Sequence, residues 1–126
     1  MTLLITSLIR KTTLFLAAAT LSVSAMASDF NQVQREANQG NAIAQAMFGV
    51  MYDLSKGVPQ DYTKAAVWYE KAANQGLAKS QYNLGVMYAN GEGVRQNTAT
   101  AKEWFGKACD NGNQGGCDTY RKLNQR

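Results

Sequence analysis

The chain has 126 residues, 45% of them hydrophobic, and a formal charge of +4. That length supports one domain with one modest core. There is no histidine, which excludes the Ser–His and Cys–His pairings of many hydrolases and removes the commonest metal ligand.

The first stretch reads as an export signal. Arg10 and Lys11 precede a short apolar run over 14–23, and Ala25-Met26-Ala27 forms a small-x-small cleavage pattern before Ser28 and Asp29. A membrane-spanning helix needs about 20 apolar residues, and the run is shorter. Residues 1–27 are therefore predicted to be a cleaved signal peptide. Residues 28–126 are predicted to be a periplasmic or secreted domain with no stable membrane insertion. Arg10 and Lys11 leave with the signal, so eleven Lys+Arg face nine Asp+Glu, a net +2. The basic residues are scattered without a dense block, which argues against nucleic acid as a partner.

Residues 29–39 read as the tail of a helix. Sliding the chain on itself by 36 residues sets 37–72 onto 73–108 with 17 identical positions, far above chance, so the sequence is a duplication. Ala37-Asn38-Gln39-Gly40 falls on Ala73-Asn74-Gln75-Gly76, and Gly49-Val50-Met51-Tyr52 on Gly85-Val86-Met87-Tyr88. Full units are placed near 42–77 and 78–113.

Each unit reads as two helices. The first, over 41–53 and 77–90, turns Ala42, Gln45, Phe48, Gly49 and Tyr52 inward at steps of three and four. A helix-interior glycine costs about 1 kcal/mol against alanine, so a duplicated one points to a neighbouring helix too close for a side chain. In the loop that follows, Val58 and Val94 can plug the gap between helices. Asp61 and Asn97 cap the second helix, whose stripe is Ala65, Trp68, Tyr69 and Ala72, repeated as Ala101, Trp104, Phe105 and Ala108. Those aromatics read as core because their helical spacing is duplicated. Gly76 and Gly112 end it. Residues 114–125 take the place of a further first helix, with Tyr120 at the Phe48/Leu84 position and Arg121 at the glycine position. The fold class is all-α: a short right-handed α-solenoid of helix-turn-helix repeats, about five helices in all.

Cys109 and Cys117 fall late. In an oxidising compartment such a pair is read as a disulfide, closing a short loop and adding roughly 2–3 kcal/mol. The other reading is a redox pair, although the spacing is not Cys-x-x-Cys. Two thiols do not fill a zinc shell. Beyond residue 27 the serines are Ser28, Ser55 and Ser80, and none opens Ser-x-x-Lys. No catalytic residue, metal or cofactor is assigned, and the expectation is a protein that is not an enzyme.

The stretch Gln81-Tyr82-Asn83-Leu84-Gly85-Val86-Met87-Tyr88, then Gly91-Glu92-Gly93-Val94, then Ala101-Lys102-Glu103-Trp104-Phe105-Gly106-Lys107-Ala108, resembles Sel1-like repeats, bacterial relatives of tetratricopeptide repeats. The resemblance covers about residues 35–120. It implies an α-solenoid that makes protein–protein contacts, so the expected function is an exported adaptor or scaffold for a protein or peptide partner. The Cys109/Cys117 spacing is similar to that of the cysteine-rich Sel1-type proteins of Helicobacter, where such a pair staples adjacent helices in each repeat. Here Ala73 and Gln81 hold the matching positions of the unit before. That second likeness implies the alternative function, a cell-wall-related ligand binder or β-lactam-interacting protein. In tetratricopeptide-like stacks the first helices line the concave face. Positions turned away from the inner stripe are then candidates: Ile43, Ala46, Val50, Asp53 and Leu54, and their neighbours in the next unit. The partner-binding set is Asp53, Lys79, Tyr82, Val86, Asn90, Asp118 and Lys122.

Overall fold

The computed structural model describes residues 29–126; the predicted signal peptide, and Ser28, lie outside them. The chain parts into two compact units, 1–32 and 33–126. Of the first, only 29–32 are described, and they are helical. The described residues form six helices and no strand: α1 over 29–38, α2 Ala42–Asp53, α3 Tyr62–Asn74, α4 Ala78–Asn90, α5 Thr98–Asp110 and α6 Gln114–Asn124. This is an all-α repeat fold. The count is six rather than about five because the stretch at 29–38 is a helix in its own right, long enough for its own i→i−4 bonds. From α2 onward each helix packs on the next.

The turns between units share one design. The φ angles of Gly40, Gly76 and Gly112 are 94°, 90° and 94°, a region that costs glycine nothing. The Gly76 N–H donates to the Ala73 carbonyl (3.0 Å) and the Leu77 N–H to that of Ala72 (3.3 Å); Gly112 and Asn113 repeat this on Cys109 and Ala108 (3.0 and 2.8 Å). These paired bonds satisfy the last carbonyls of the helix and reverse the chain. The helix starts are also alike. Asn41, Asp61, Asn97 and Asn113 each accept from a first-turn amide, at 3.1, 3.0, 3.0 and 2.8 Å. Helix α4 departs from the rule: Leu77 holds its cap position and offers no side-chain acceptor.

The core is small-residue packing around rings. Ala65, Ala66, Tyr69, Ala73, Leu84 and Met87 form its centre. A Cβ added at Gly49 would stand 2.7 Å from Tyr69 Cδ1, and one at Gly85 2.8 Å from Phe105 Cε1. The close neighbour predicted from the duplicated glycine is thus an aromatic ring of the following helix. Val94 packs against the core and Val58 is half-buried. Two expectations shift. Ala44, not Ala42, is the fully buried alanine of α2. Trp68 and Trp104 sit at the core's edge, half-buried, and each carries a lysine ammonium over its ring: Lys71 at 4.2 Å and Lys107 at 4.3 Å.

Successive units are joined by a repeated polar staple. Gln45 Nε2 donates to the Ala37 carbonyl (3.2 Å), and Gln81 Nε2 to the Ala73 carbonyl (3.0 Å). Their side-chain oxygens accept from Gln75 Nε2 (2.8 Å) and Asn111 Nδ2 (2.9 Å), so each buried amide is satisfied. One period later the same two positions are Cys109 and Cys117, joined as a disulfide with Cα atoms 4.4 Å apart. The disulfide occupies the place of the glutamine bond.

Candidate functional site

A groove of about 440 Å³ lies between α2 and α4. Helix α2 gives it Ile43, Ala46, Met47, Val50 and Met51, the stripe opposite its buried face. The first two turns of α4 give Leu77, Lys79, Ser80 and Asn83; Tyr69 of α3 and Lys56 of the loop after α2 complete it. The lining is mostly apolar and accessible: Ile43 is 65% and Met47 50% exposed, and Leu54 continues the stripe at 57%. Association surfaces are commonly built from apolar side chains gathered on one face, and methionines adapt to varied partners.

The polar groups of the groove are few. Tyr69 donates its hydroxyl to Asp53 Oδ2 (3.1 Å). Burial, and then the Asp53 carboxylate, hold that phenol well above its ordinary value, so it stays neutral. Ser80 is 1% exposed and its hydroxyl has no hydrogen-bond partner. Lys56 and Lys79 make no ion pair among the described residues, where the pairs formed are Lys64–Asp61 and Arg121–Asp118.

The seven residues predicted to bind a partner do not gather on one surface. Lys79 lines the groove. Asp53 stands behind it, holding Tyr69. Tyr82 turns toward α5 and α6: its ring lies 5.5 Å from that of Phe105, and a Cβ at Gly115 would come within 3.1 Å of it. Val86 is half-buried, and Asn90 is exposed and donates to Glu92 (3.5 Å). Asp118 and Lys122 border a separate depression on α6, where Asp118 pairs with Arg121 (3.9 Å) and accepts from Gln114 (3.0 Å). Ile43, Ala46 and Val50, also singled out from the sequence, do line the groove. Met47, Met51, Lys56, Leu77, Ser80 and Asn83 were missed. A signal existed for two of them: positions 41, 77 and 113 read Asn, Leu, Asn, and 44, 80 and 116 read Ala, Ser, Gly.

Both cysteines are in the disulfide. Among the described residues no group of three or more His, Cys, Asp or Glu is placed to hold a metal ion, and no helix is long and apolar enough to cross a membrane.

The Sel1 repeat family model matches residues 42–77 and 78–113, more than half of the chain. This chain belongs to the Sel1 repeat family. Among solved structures, this Sel1 repeat protein is similar to a protective antigen of uropathogenic Escherichia coli strains displaying an SLR fold. The identity is 42% and the TM-score 0.68, over 69% of this chain and 19% of that one. It is similar to a Sel1 repeat protein of Oxalobacter formigenes at 41% identity and TM-score 0.70, over 72% of this chain and 26% of that one. The Helicobacter pylori cysteine rich protein B matches at 28% identity and TM-score 0.69, over 71% of this chain and 68% of that one. The Sel1 chain thus spans about a fifth and a quarter of the first two proteins' lengths. No curated protein sequence matches it.

Proposed function

We propose that this Sel1 repeat protein is an exported protein-binding module that seats a segment of a partner protein in the α2/α4 groove. One observation carries the reading: a continuous apolar stripe on α2, with Ile43 and Met47 at least half exposed, opening on a groove of about 440 Å³. Burying such side chains releases on the order of 25 cal/mol per Å² of apolar surface. Sel1 repeats generally mediate protein–protein contacts, which supports the class. Export is supported by the disulfide, since such bonds persist in oxidising compartments, and by the signal-like pattern of residues 1–27. Lack of catalysis is supported by a sequence without histidine and by two cysteines committed to each other. Turnover of a chromogenic β-lactam by the purified protein would overturn that part.

The groove is tested by a photo-crosslinking residue at position 47, with one at exposed position 103 on α5 as control. The expected result is a partner captured at 47 and not at 103, whose purified form binds Met47→Glu at least tenfold more weakly. Equal binding of the partner by Met47→Glu and wild type would remove the groove as its seat.

A further inference from the structure

The α4 end of the groove departs from the repeat twice within one turn. Asn41 and Asn113 cap their own helices through a side-chain oxygen, to the Ala44 amide at 3.1 Å and the Gly116 amide at 2.8 Å. Leu77 stands at the equivalent position and offers no acceptor, so the first-turn amides of α4 have no side-chain partner. Three residues on, where α2 has Ala44 and α6 has Gly116, α4 has Ser80. Ser80 lines the groove, and its hydroxyl is buried with no hydrogen-bond partner. A buried hydroxyl left unpaired is costly and rare. Lys79 sits between these groups, exposed and without an ion pair among the described residues.

These groups share a chemistry. Backbone amides, a hydroxyl and an ammonium are all donors, and the positive end of the α4 dipole adds to them. The carboxylate behind the groove, on Asp53, is already held by the Tyr69 hydroxyl at 3.1 Å. What is missing is an acceptor, and an anionic one would also complement the Lys79 charge and the helix dipole. The four capped helices that follow α1 show what fits such a position: the side-chain oxygen of an Asn or an Asp.

We infer that an Asp or Glu side chain of the partner segment supplies the missing N-cap of α4. It accepts from the first-turn amides and, once the Ser80 side chain turns about χ1 toward the groove, from that hydroxyl, and it pairs with Lys79, while an apolar side chain beside it enters the groove at Met47 and Val50. Lys56 offers a second cation to an acidic segment. The inference rests on the reading of the groove as the partner's seat and adds the partner's chemistry.

The test uses the full chain and an array of end-blocked nonapeptides, each with a central Leu or Phe flanked by Asp or Glu, by Asn or Gln, or by Lys. A further series carries its only carboxylate at a free C-terminus. Acidic end-blocked peptides should bind at least tenfold more tightly than their amide counterparts, and more weakly as salt rises. Leu77→Asn, which gives α4 the cap of its sister helices, should raise the melting temperature and weaken acidic peptides about tenfold. Ser80→Ala, which restores the residue of position 44, should also keep or raise stability while weakening them. A purely structural role would not lose binding in two variants that fold better. Equal binding of amide and acidic peptides, unchanged in Leu77→Asn, overturns the cap and leaves the groove reading standing. Binding confined to the free C-terminus overturns the side-chain assignment. No binding by any peptide, together with a position-47 crosslink no stronger than the control, overturns both readings.

Discussion

Between α2 and α4 the repeat leaves a groove; between α4 and α6, one period later, Tyr82 lies across Gly115 and a disulfide ties α6 to α5. The backbone design of the two joints is the same, down to the left-handed glycine and its paired bonds. Their difference comes from a few side chains. Ala46 leaves space where Tyr82 fills it, and Ser80 is a hydroxyl where Gly116 is bare. Gly116 lies so tight that a Cβ there would stand 2.8 Å from the Ala108 Cβ. The Gln81 bond to the Ala73 carbonyl becomes the Cys109–Cys117 link. A hydrogen bond suffices where a helix has neighbours on both sides. The last helix described packs on α5 alone among the prominent contacts, and there a covalent tie constrains the unfolded chain instead.

The largest expected effect breaks that tie. Cys109→Ala with Cys117→Ala should lower stability by about 2–3 kcal/mol in denaturant titrations and fray α6 in hydrogen exchange. Writing the middle joint's residues into the last one, Cys109→Ala with Cys117→Gln, should regain about 1 kcal/mol. If the glutamine form is no more stable than the double alanine, the two staples are not equivalent.

The ring-on-glycine contact comes next. Gly85→Ala drives a Cβ into the Phe105 ring, an overpacking cost of about 1–3 kcal/mol offset by about 1 kcal/mol of helix propensity. The net effect should be a lower melting temperature. Arg121, exposed at the same register of α6, should tolerate alanine within about 0.5 kcal/mol. A neutral Gly85→Ala would mean the ring moves aside freely.

The groove itself can be closed. Ala46→Tyr gives α2 the residue that fills the later joint, and should cut partner binding tenfold or more, about 1.4 kcal/mol, with the melting temperature near wild type. Retained binding would show that the partner sits elsewhere.

The smallest effect concerns Tyr69, whose counterpart is Phe105. Tyr69→Phe removes the bond to Asp53 and should cost about 1 kcal/mol or less at neutral pH. The phenol is held above its unfolded value, so the native state keeps its proton longer than the unfolded chain does. That contribution is complete below about pH 10 and is lost as pH rises through the folded value. The wild type should therefore lose more stability than Tyr69→Phe under alkaline conditions, and parallel pH curves would contradict this.

How much could be read ahead of the structure follows the range of each interaction. Asp61, Asn97, Gly76 and Gly112 were placed correctly because caps and left-handed turns are local chemistry within four residues of chain. The duplicated Gly49 and Gly85 announced a close neighbour, since nothing within a helix favours glycine there. Of the partner-binding set only Lys79 lines the groove, and Tyr82 shows why. From periodicity, position 82 points to the same face as Ala46. A tyrosine there does not stay in water, however, because the bare Gly115 and the Phe105 ring give it a place to lie. A stripe at steps of three and four distinguishes faces of a helix and not which of two neighbours a long side chain leans on.

The period of 36 residues, the helix starts and stops, the inward glycines and the place of a cysteine pair were determined by the sequence alone, because each depends on backbone conformation or on spacing along one chain. The tertiary structure decided which repeat is open and which is closed, that Trp68 and Trp104 stand at the edge under lysines, and that Leu77 and Ser80 leave donors without an acceptor at the groove's end. Those are matters of volume and hydrogen-bond satisfaction between helices. A single side chain more or less, at contacts remote in sequence, tips them.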